Sequence, residues 1–228
     1  AGRQPDAAVT RTDEGQMAVR TAVVGAGVMG RVHLEQLPQV QAVEIVGVVD
    51  PDLPAAQKAA APVGARAYGD LAAMLREVQP EYVVVASPAR WHAQQTIAAF
   101  EAGAHVLCEK PLAMSVAEAE AMRAAAQKAG RLFTMGFQLR MSPVNRALRA
   151  FLAADGLGQV YHTRVWGGHI MGYPWGRYHH RKEMSFGGVL AGTTVHPLDA
   201  VYWILGAPEP VTVSASTFRR LDRMPDPP

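Results

Sequence analysis

Short apolar runs recur along the first 136 residues, and longer stretches with helical spacing of apolar positions separate them. Each run is five to seven residues long and the first three are rich in valine, which is typical of strands buried on both faces of a sheet. Alternation of such strands with helices predicts a parallel, doubly wound α/β sheet. Five strands are predicted: Val19 to Val24, Val43 to Val49, Tyr82 to Ala86, Ala104 to Cys108 and Leu132 to Gly136.

Capping residues mark two of the intervening helices. Asp70 is expected to cap a helix over Leu71–Val78, because its side chain can accept a hydrogen bond from the first turn. Ser115 and Glu118 form a capping box that begins a helix ending near Ala129. Three other helices are predicted: one ending near Leu37, one over Leu53–Ala61 and one ending near Ala102.

The pattern changes after residue 137. Helices are predicted from Pro143 to about Ala154 and from Pro197 to about Leu205. Gln159 to Trp166 alternates as a half-exposed antiparallel strand does, and Val211 to Phe218 predicts another strand. We therefore expect an α+β domain with a mostly antiparallel, open sheet over residues 138–228.

Composition excludes several classes of function. Hydrophobic residues make up 49% and charged residues 18% of the chain, as in ordinary globular proteins, and a net charge of +2 does not favour nucleic-acid or membrane-surface binding. No apolar run approaches the roughly 20 residues needed to span a bilayer. The single cysteine, Cys108, excludes an internal disulfide and fits a cytoplasmic location. Residues 1–17 are polar without hydrophobic period, so a disordered arm or cloning remnant is expected there.

A glycine-rich motif follows the first predicted strand. Gly25, Gly27 and Gly30 form G-x-G-x-x-G between a strand and a helix, which is the context that gives this motif meaning. Gly25 allows the tight turn, Gly27 lets the backbone approach a pyrophosphate, and Gly30 permits close helix–strand packing. Amides at the helix start, including those of Val28 and Met29, would then hold the phosphates. We therefore predict a Rossmann-type dinucleotide-binding domain over residues 18–137.

Asp50 indicates which dinucleotide is bound. It ends the second predicted strand twenty positions after Gly30, where a ribose-binding carboxylate belongs. A carboxylate on the ribose hydroxyls would repel a 2′-phosphate, and no arginine stands beside Asp50. The sequence therefore favours NAD over NADP.

Two further loops belong to the same edge of the predicted sheet. Ser87 and Pro88 follow the strand that ends at Ala86, and His92 near the next helix start is expected to pack or cap on the cofactor side. Lys110 lies at the carboxyl end of the predicted strand that ends at Cys108. A lysine at the carboxyl end of a parallel strand faces the crevice in which open α/β sheets bind ligands. The expected cofactor contacts are Gly25, Gly27, Val28, Met29, Gly30, Asp50, Ser87, Pro88, His92, Glu109 and Lys110.

The second domain carries a further group of polar and aromatic residues. His196 lies just at or before a predicted helix start, and an imidazole is a natural proton acceptor for a hydroxyl that is being oxidised. The histidines at positions 169, 179 and 180 have no carboxylate or cysteine at ligand spacing, so no metal site is expected. Substrate contacts are expected from Arg140, Trp175, His179, Thr193 and Asp199.

With these residues in hand, the chain resembles the glucose–fructose oxidoreductase, inositol dehydrogenase and rhizopine-catabolism (Gfo/Idh/MocA) family. The resemblance covers residues 18–228 and depends on the combination of five segments. They are Gly25–Gly30, Asp50, Ala86-Ser87-Pro88 with His92, Ala102–Pro111 and Val195–Asp199. Family members continue further, so we expect the second domain to be incomplete at its C-terminus, with an open edge strand.

The resemblance implies roles for individual residues. Lys110 would hydrogen-bond the substrate hydroxyl near the nicotinamide and support proton transfer, and a cis Lys110–Pro111 bond is common in such proteins. His196 would be the acid/base. An aspartate four residues before it usually assists, and that position is Gly192 here. Either Asp199, Thr193 or Thr194 partly substitutes for this carboxylate, or the chemistry differs.

These expectations support an NAD-dependent oxidoreductase that transfers hydride between the nicotinamide and a secondary hydroxyl or ketone of a sugar, glycoside or cyclitol. His196 would take the hydroxyl proton while Lys110 polarises the oxygen. One alternative is an NAD-binding protein without turnover, such as a sensor or assembly subunit. Another is a redox-assisted glycoside-cleaving enzyme that retains NAD. A homodimer or homotetramer through the second-domain sheet is expected.

Overall fold

The computed structural model describes residues 18–167, 183–184 and 187–218. The chain divides into two compact units, Ala1–Gly136 and Phe137–Pro228. The expected arm over residues 1–17 lies outside the described residues. No described helix is long and apolar enough to cross a membrane.

The first unit contains a six-stranded parallel sheet with the order β3-β2-β1-β4-β5-β6. The predicted parallel, doubly wound α/β sheet is therefore confirmed, and the five predicted strands lie within one residue of their expected bounds. The strands are β1 (Val19–Val24), β2 (Val43–Val49), β3 (Arg66–Tyr68), β4 (Tyr82–Val85), β5 (His105–Cys108) and β6 (Phe133–Met135). Sequence reasoning missed β3, because three residues that include an exposed arginine give no apolar run.

Helices fill the connections between these strands. Asp70 accepts a hydrogen bond from the Ala73 amide at 2.8 Å, and Ser115 accepts one from the Glu118 amide at 3.2 Å, so both predicted caps are present. Gly130 ends its helix in the left-handed conformation, with φ 63°. The helices are α1 (Val28–Gln36), α2 (Leu53–Ala60), α3 (Leu71–Val78), α4 (His92–Glu101) and α5 (Val116–Ala129).

Each face of the sheet has its own apolar core, because successive side chains of a strand point to opposite faces. One core packs α3, α4 and α5 against the sheet and contains Met74, Phe100 and Met122. The other packs α1 and α2 against the opposite face and contains Leu34 and Ala59. The strands β1 and β4 are buried on both sides, as their continuous apolar runs predict.

The second unit contains two α-helices among its described residues. They are α6 (Pro143–Ala153), close to its predicted bounds, and α7 (Val195–Ile204), which follows a π-helical turn over Leu190–Thr194. Sequence analysis placed His196 at or before the helix start, whereas the structure has it inside the first turn of α7. Proline is tolerated anywhere in a first turn, so Pro197 did not specify the starting residue.

The two strands predicted in the second unit are not confirmed. Gln159 to Trp166 and Val211 to Phe218 have no strand structure, so an antiparallel sheet is absent from the described part of this unit. A strand is stable only when its backbone groups pair with a neighbouring strand, and an alternating pattern does not supply that neighbour.

Substitution of Phe100 tests how far the stability of the first core depends on one side chain. It is 1% exposed and makes an edge-to-face contact with Phe133 at 5.3 Å between ring centroids. We expect Phe100→Ala to lower the free energy of unfolding by about 3–5 kcal/mol, measured by urea denaturation. Val116→Ala, at a residue 76% exposed, should change it by less than about 0.5 kcal/mol. Equal losses for the two variants would contradict this core assignment.

Candidate functional site

The loops after β1, β2, β4 and β5 lie along one edge of the first unit's sheet, because these strands are parallel and adjacent. The strand order reverses between β1 and β4, and open α/β sheets bind ligands in the crevice outside such a point. These loops carry Gly27, Asp50, Ser87 and Lys110.

Two glycines let α1 approach the end of β1 closely. A Cβ on Gly30 would lie 1.7 Å from the carbonyl oxygen of Gly25, which no side chain can satisfy. Gly25 has φ +101°, and a Cβ there would lie 2.8 Å from the carbonyl oxygen of Ala86. The Gly25 amide donates to the carbonyl oxygen of Val49 at 2.8 Å. The glycine loop is therefore packed against the ends of both β2 and β4.

Gly27 differs from its two neighbours in the motif. A Cβ at Gly27 would meet no atom within 4 Å, and its φ of −70° is open to any residue. Gly27 is the N-cap of α1 and has no side chain that could bond the first-turn amides. Val28 and Met29, the first helical residues, are 44% and 37% exposed. Open space before an uncapped helix N-terminus fits the pyrophosphate of a dinucleotide.

The Asp50 carboxylate joins the ends of β1 and β2. Its Oδ2 accepts a hydrogen bond from the Ala26 amide at 2.8 Å, and its Oδ1 accepts one from the Asp52 amide at 3.0 Å. A carboxylate offers about four lone-pair sites, so these two bonds leave acceptor capacity for ribose hydroxyls.

His92 connects the loops that follow β4 and β5. Its ring is fully buried, with Nε2 2.8 Å from the carbonyl oxygen of Ser87 and Nδ1 2.9 Å from that of Pro111. Burial lowers the pKa of His92, although the facing carbonyl groups act in the opposite direction. Pro88 caps the short 3₁₀ turn that leads into α4. His92 therefore holds two loops of the site through their backbones and does not expose its ring to a ligand.

Glu109 and Lys110 follow β5, and the Lys110–Pro111 peptide bond is cis, as the resemblance implied. Glu109 is 6% exposed. Its Oε1 lies 2.9 Å from His33 Nε2 on α1, and its Oε2 accepts a hydrogen bond from the Lys110 amide at 3.2 Å. The Glu109 carboxylate thus contacts both α1 and the backbone of the lysine.

The charges of this loop influence one another. Burial raises the pKa of Glu109, but two neighbours act in the opposite direction. His33 contributes a hydrogen bond and a charge, and Lys110 contributes its backbone amide and a charge. Together they outweigh burial and lower the pKa of Glu109 overall. Burial lowers the pKa of Lys110, and the negative charge of Glu109 opposes this. Glu109 is therefore ionised at neutral pH, and Lys110 loses its proton at a lower pH than an exposed lysine. Burial raises the pKa of the neighbouring Cys108 thiol to about 12, so that thiol is inert.

Sequence reasoning missed His33 and Gly136. A Cβ on Gly136 would lie 2.9 Å from Oε2 of Glu109, so a side chain where the chain leaves β6 would require the Glu109 carboxylate to shift. His33 is 76 positions from Glu109 in sequence, and no local motif signals this pairing. The single clue is its spacing, three residues after Gly30, which places it on the same face of α1.

In the second unit, Arg140 and Asp199 form an ion pair with two hydrogen bonds. Arg140 Nε donates to Asp199 Oδ2 at 2.8 Å, and its Nη2 donates to Oδ1 at 2.5 Å. The hydrogen bond to Asp199 raises the pKa of Arg140, and the Asp199 side chain is 8% exposed. This pair joins the turn before α6 to α7, so its charged groups also serve the internal structure of the unit.

His196 is half-buried in the first turn of α7, and its ring meets that of Phe137 edge-on at 6.3 Å between centroids. Thr193 lies in the preceding π-helical turn, and π-helical turns are frequent at functional sites. A Cβ at Gly192 would meet no atom within 4 Å of the described chain, so the backbone leaves room for the carboxylate usual in the family. Trp175 and His179, two other predicted substrate contacts, lie outside the described residues.

Comparison with known proteins identifies the family. A family model described as "Oxidoreductase family, NAD-binding Rossmann fold" matches residues 19–137, and the "GFO/IDH/MocA C-terminal domain" matches residues 145–227. The chain belongs to the Gfo/Idh/MocA family. The resemblance inferred from the motifs is thereby confirmed, and the description of the first domain supports NAD as the cofactor.

Among curated Gfo/Idh/MocA relatives, the chain is 36% identical to a D-glucoside 3-dehydrogenase of Escherichia coli over 206 residues, covering 89% of this chain and 58% of that protein. It is 32% identical to an inositol 2-dehydrogenase of Leifsonia xyli over 210 residues, covering 91% and 59%. The crystal structure of GenD2 from gentamicin A biosynthesis, in complex with NAD, matches with a TM-score of 0.76 and 30% identity, covering 91% of this chain and 58% of that one. The chain therefore spans less than two thirds of the length of these relatives.

Alanine substitutions at Gly27 and Gly30 distinguish an effect on cofactor binding from an effect on folding. Gly27→Ala should leave the free energy of unfolding within about 1 kcal/mol of wild type, since helical and extended positions tolerate alanine. Its methyl group would occupy the space in front of α1, so the affinity for NADH should fall at least about tenfold, measured by calorimetry.

Gly30→Ala should instead lower the free energy of unfolding by about 3 kcal/mol or more, because its Cβ meets the Gly25 carbonyl. Chemical denaturation of the two variants in parallel checks the contrast. Unchanged NADH affinity in Gly27→Ala would show that the dinucleotide binds elsewhere.

Proposed function

We propose that this protein is an NAD-dependent oxidoreductase acting on a secondary hydroxyl or ketone of a sugar, glycoside or cyclitol. The observation that carries the proposal is the sheet edge on which an uncapped helix N-terminus, the Asp50 carboxylate and the half-buried Lys110 occur together. The named relatives that dehydrogenate glucosides and inositol support this substrate class. Residues 18–137 would form the dinucleotide-binding domain and residues 138–228 part of the substrate domain.

The cofactor site is supplied by residues of the first unit. First-turn amides after Gly27 would bind the pyrophosphate, and the free lone pairs of Asp50 would accept from the ribose hydroxyls. NAD, when bound, accepts hydride from the carbon that bears the hydroxyl group. His92 holds the Ser87 and Pro111 backbones that border this site.

Lys110 would donate a hydrogen bond to the substrate oxygen and stabilise negative charge that develops on it. Only the protonated, ammonium form of Lys110 carries the positive charge that this stabilisation requires. Because burial lowers the pKa of Lys110, its contribution is present at neutral pH and is lost, as pH rises, earlier than for an exposed lysine. The ionised Glu109 opposes that loss by favouring the ammonium form.

His196 would accept the hydroxyl proton, which is a separate part of the proposal. Its position in a first turn beside a π-helical turn supports a functional role. The residue at position 192 is glycine, so Asp199, Thr193 or Thr194 would have to substitute in part for the assisting carboxylate. Asp199 already bonds Arg140 twice, which favours the two threonines for this role.

Turnover tests the proposal directly. The protein is incubated with NAD and a panel of glucosides, free sugars and inositols, and NADH formation is followed by absorbance. We expect activity with at least one member of the panel, and a decrease in kcat of about 10²–10⁴-fold for Lys110→Ala and for His196→Ala. Lys128→Ala is the matched control, because Lys128 is exposed at the end of α5.

Several outcomes would decide against the enzyme. NADH binding without turnover on any substrate would favour the sensor or assembly alternative. Release of an aglycone from a glucoside without net NADH formation would favour the glycoside-cleaving alternative. Tighter binding of NADP than of NAD would contradict the role given to Asp50.

We also propose that the protein is a cytoplasmic homo-oligomer. The inert, buried Cys108 fits a reducing compartment, and Val211 and Val213 in the second unit are 92% and 88% exposed. Light scattering should give the mass of a dimer or tetramer, and Val211→Asp with Val213→Asp should reduce that mass. Val116→Asp in the first unit is the control, and a monomeric wild type would contradict the proposal.

A further inference from the structure

The Glu109 carboxylate connects two parts of the first unit that are far apart in sequence. Oε1 lies 2.9 Å from His33 Nε2 in the second turn of α1, and Oε2 accepts from the Lys110 amide at 3.2 Å. Glu109 is 6% exposed and the His33 side chain is 20% exposed, so water screens this contact little. Since a carboxylate only accepts, His33 Nε2 carries the hydrogen in this bond.

The position of His33 is fixed from the other end of its helix. Gly30 packs against the Gly25 carbonyl so closely that no Cβ fits. This close contact fixes the position of α1 relative to the end of β1. The bond from His33 therefore holds Glu109 at a defined place relative to the glycine loop. On the opposite side, Gly136 leaves just enough room for the carboxylate, whose Oε2 would lie 2.9 Å from an added Cβ.

Four titratable groups from different elements act on or with this carboxylate. They are His33 on α1, His92 on α4, Cys108 on β5 and Lys110 in the following loop. Cys108 stays protonated and neutral because burial raises its pKa to about 12. His92 bonds backbone carbonyl groups with both ring nitrogens. His33 bonds Glu109 directly through its side chain, and the charge of Glu109 stabilises the cationic form of Lys110.

We propose that His33 is a positioning residue that acts through Glu109, keeping this carboxylate ionised and in place beside Lys110. In this arrangement the helix that begins at the phosphate site also sets the electrostatic environment of the candidate catalytic lysine. The proposal deepens the proposed function and rests on it, because the protonation state of Lys110 matters for catalysis only if Lys110 stabilises the substrate oxygen. Its test uses titrations that need no turnover.

The first measurement follows Lys110. The chain has four lysines, so protein labelled with ¹³C at lysine Cε gives four signals, and the one missing from Lys110→Arg is assigned to Lys110. In wild type this signal should titrate at a lower pH than is usual for a lysine side chain, because burial lowers the pKa of Lys110. In Glu109→Gln, which removes the stabilising negative charge, the pKa of Lys110 should fall further, by about one unit.

The second measurement follows Glu109 in protein labelled at glutamate Cδ, with its signal assigned by loss in Glu109→Gln. His33→Leu removes the donor that favours the ionised form, so the pKa of Glu109 should rise by about one unit. His33→Gln keeps an N–H at a similar distance from the backbone but lacks the charge of His33, so it should recover part of the lowering of the Glu109 pKa that His33→Leu removes. A merely structural role for His33 would not produce this rescue. Thermal unfolding of each variant verifies that it is folded.

Two results would overturn the inference. One is a Glu109 titration that is the same in His33→Leu and wild type, and the other is a Lys110 titration that Glu109→Gln does not move. Failure of the proposed function is distinguishable from both. A protein with no turnover on any substrate, but with the expected shifts in both titrations, would retain the His33–Glu109–Lys110 arrangement without the enzyme activity.

Discussion

The first unit depends on the close approach of α1 to the end of β1. Gly30 and Gly25 allow their backbones to meet at a distance that excludes any side chain, and Gly25 in turn packs on the end of β4. This contact fixes where the helix N-terminus points and leaves the space before Gly27 open. The direction of α1 then determines which loops its side chains can reach. The candidate phosphate site proposed above and an anchor for the lysine loop both result from this one steric constraint.

Carboxylates at strand ends hold the loops around that helix. Asp50, at the end of β2, accepts from the Ala26 amide in the glycine loop, and Glu109, at the end of β5, bonds His33 on α1. Burying a charge is costly unless hydrogen bonds and opposite charges compensate, so the buried Glu109 carboxylate strongly favours the one loop arrangement that supplies its donors. The edge of the sheet is therefore organised before any ligand binds. Such preorganisation is what electrostatic stabilisation of a reacting oxygen requires.

Local signals explain which features were predictable. The runs of β1 and β2 are long and apolar, and the glycine motif, Asp50 and Lys110 each stand at the end of a predicted strand. Their convergence follows from parallel topology alone. By contrast, β3 is a three-residue edge strand that begins with an arginine, and its pairing with β2 leaves no trace in hydrophobicity. The His33–Glu109 bond also depends on tertiary placement, which periodicity does not report.

The second unit shows the limit of the same reasoning. Alternation in residues 159–166 and 211–218 indicates that one side of an extended chain is apolar, but it contains no information about a neighbouring strand. Tyr161 and Val211, two residues of these segments, are 95% and 92% exposed. Within the described residues, therefore, no other part of the chain packs on these two side chains. Pattern and pairing are thus separate requirements for a strand. In the first unit topology supplies both, since each strand there is paired in parallel with at least one other strand.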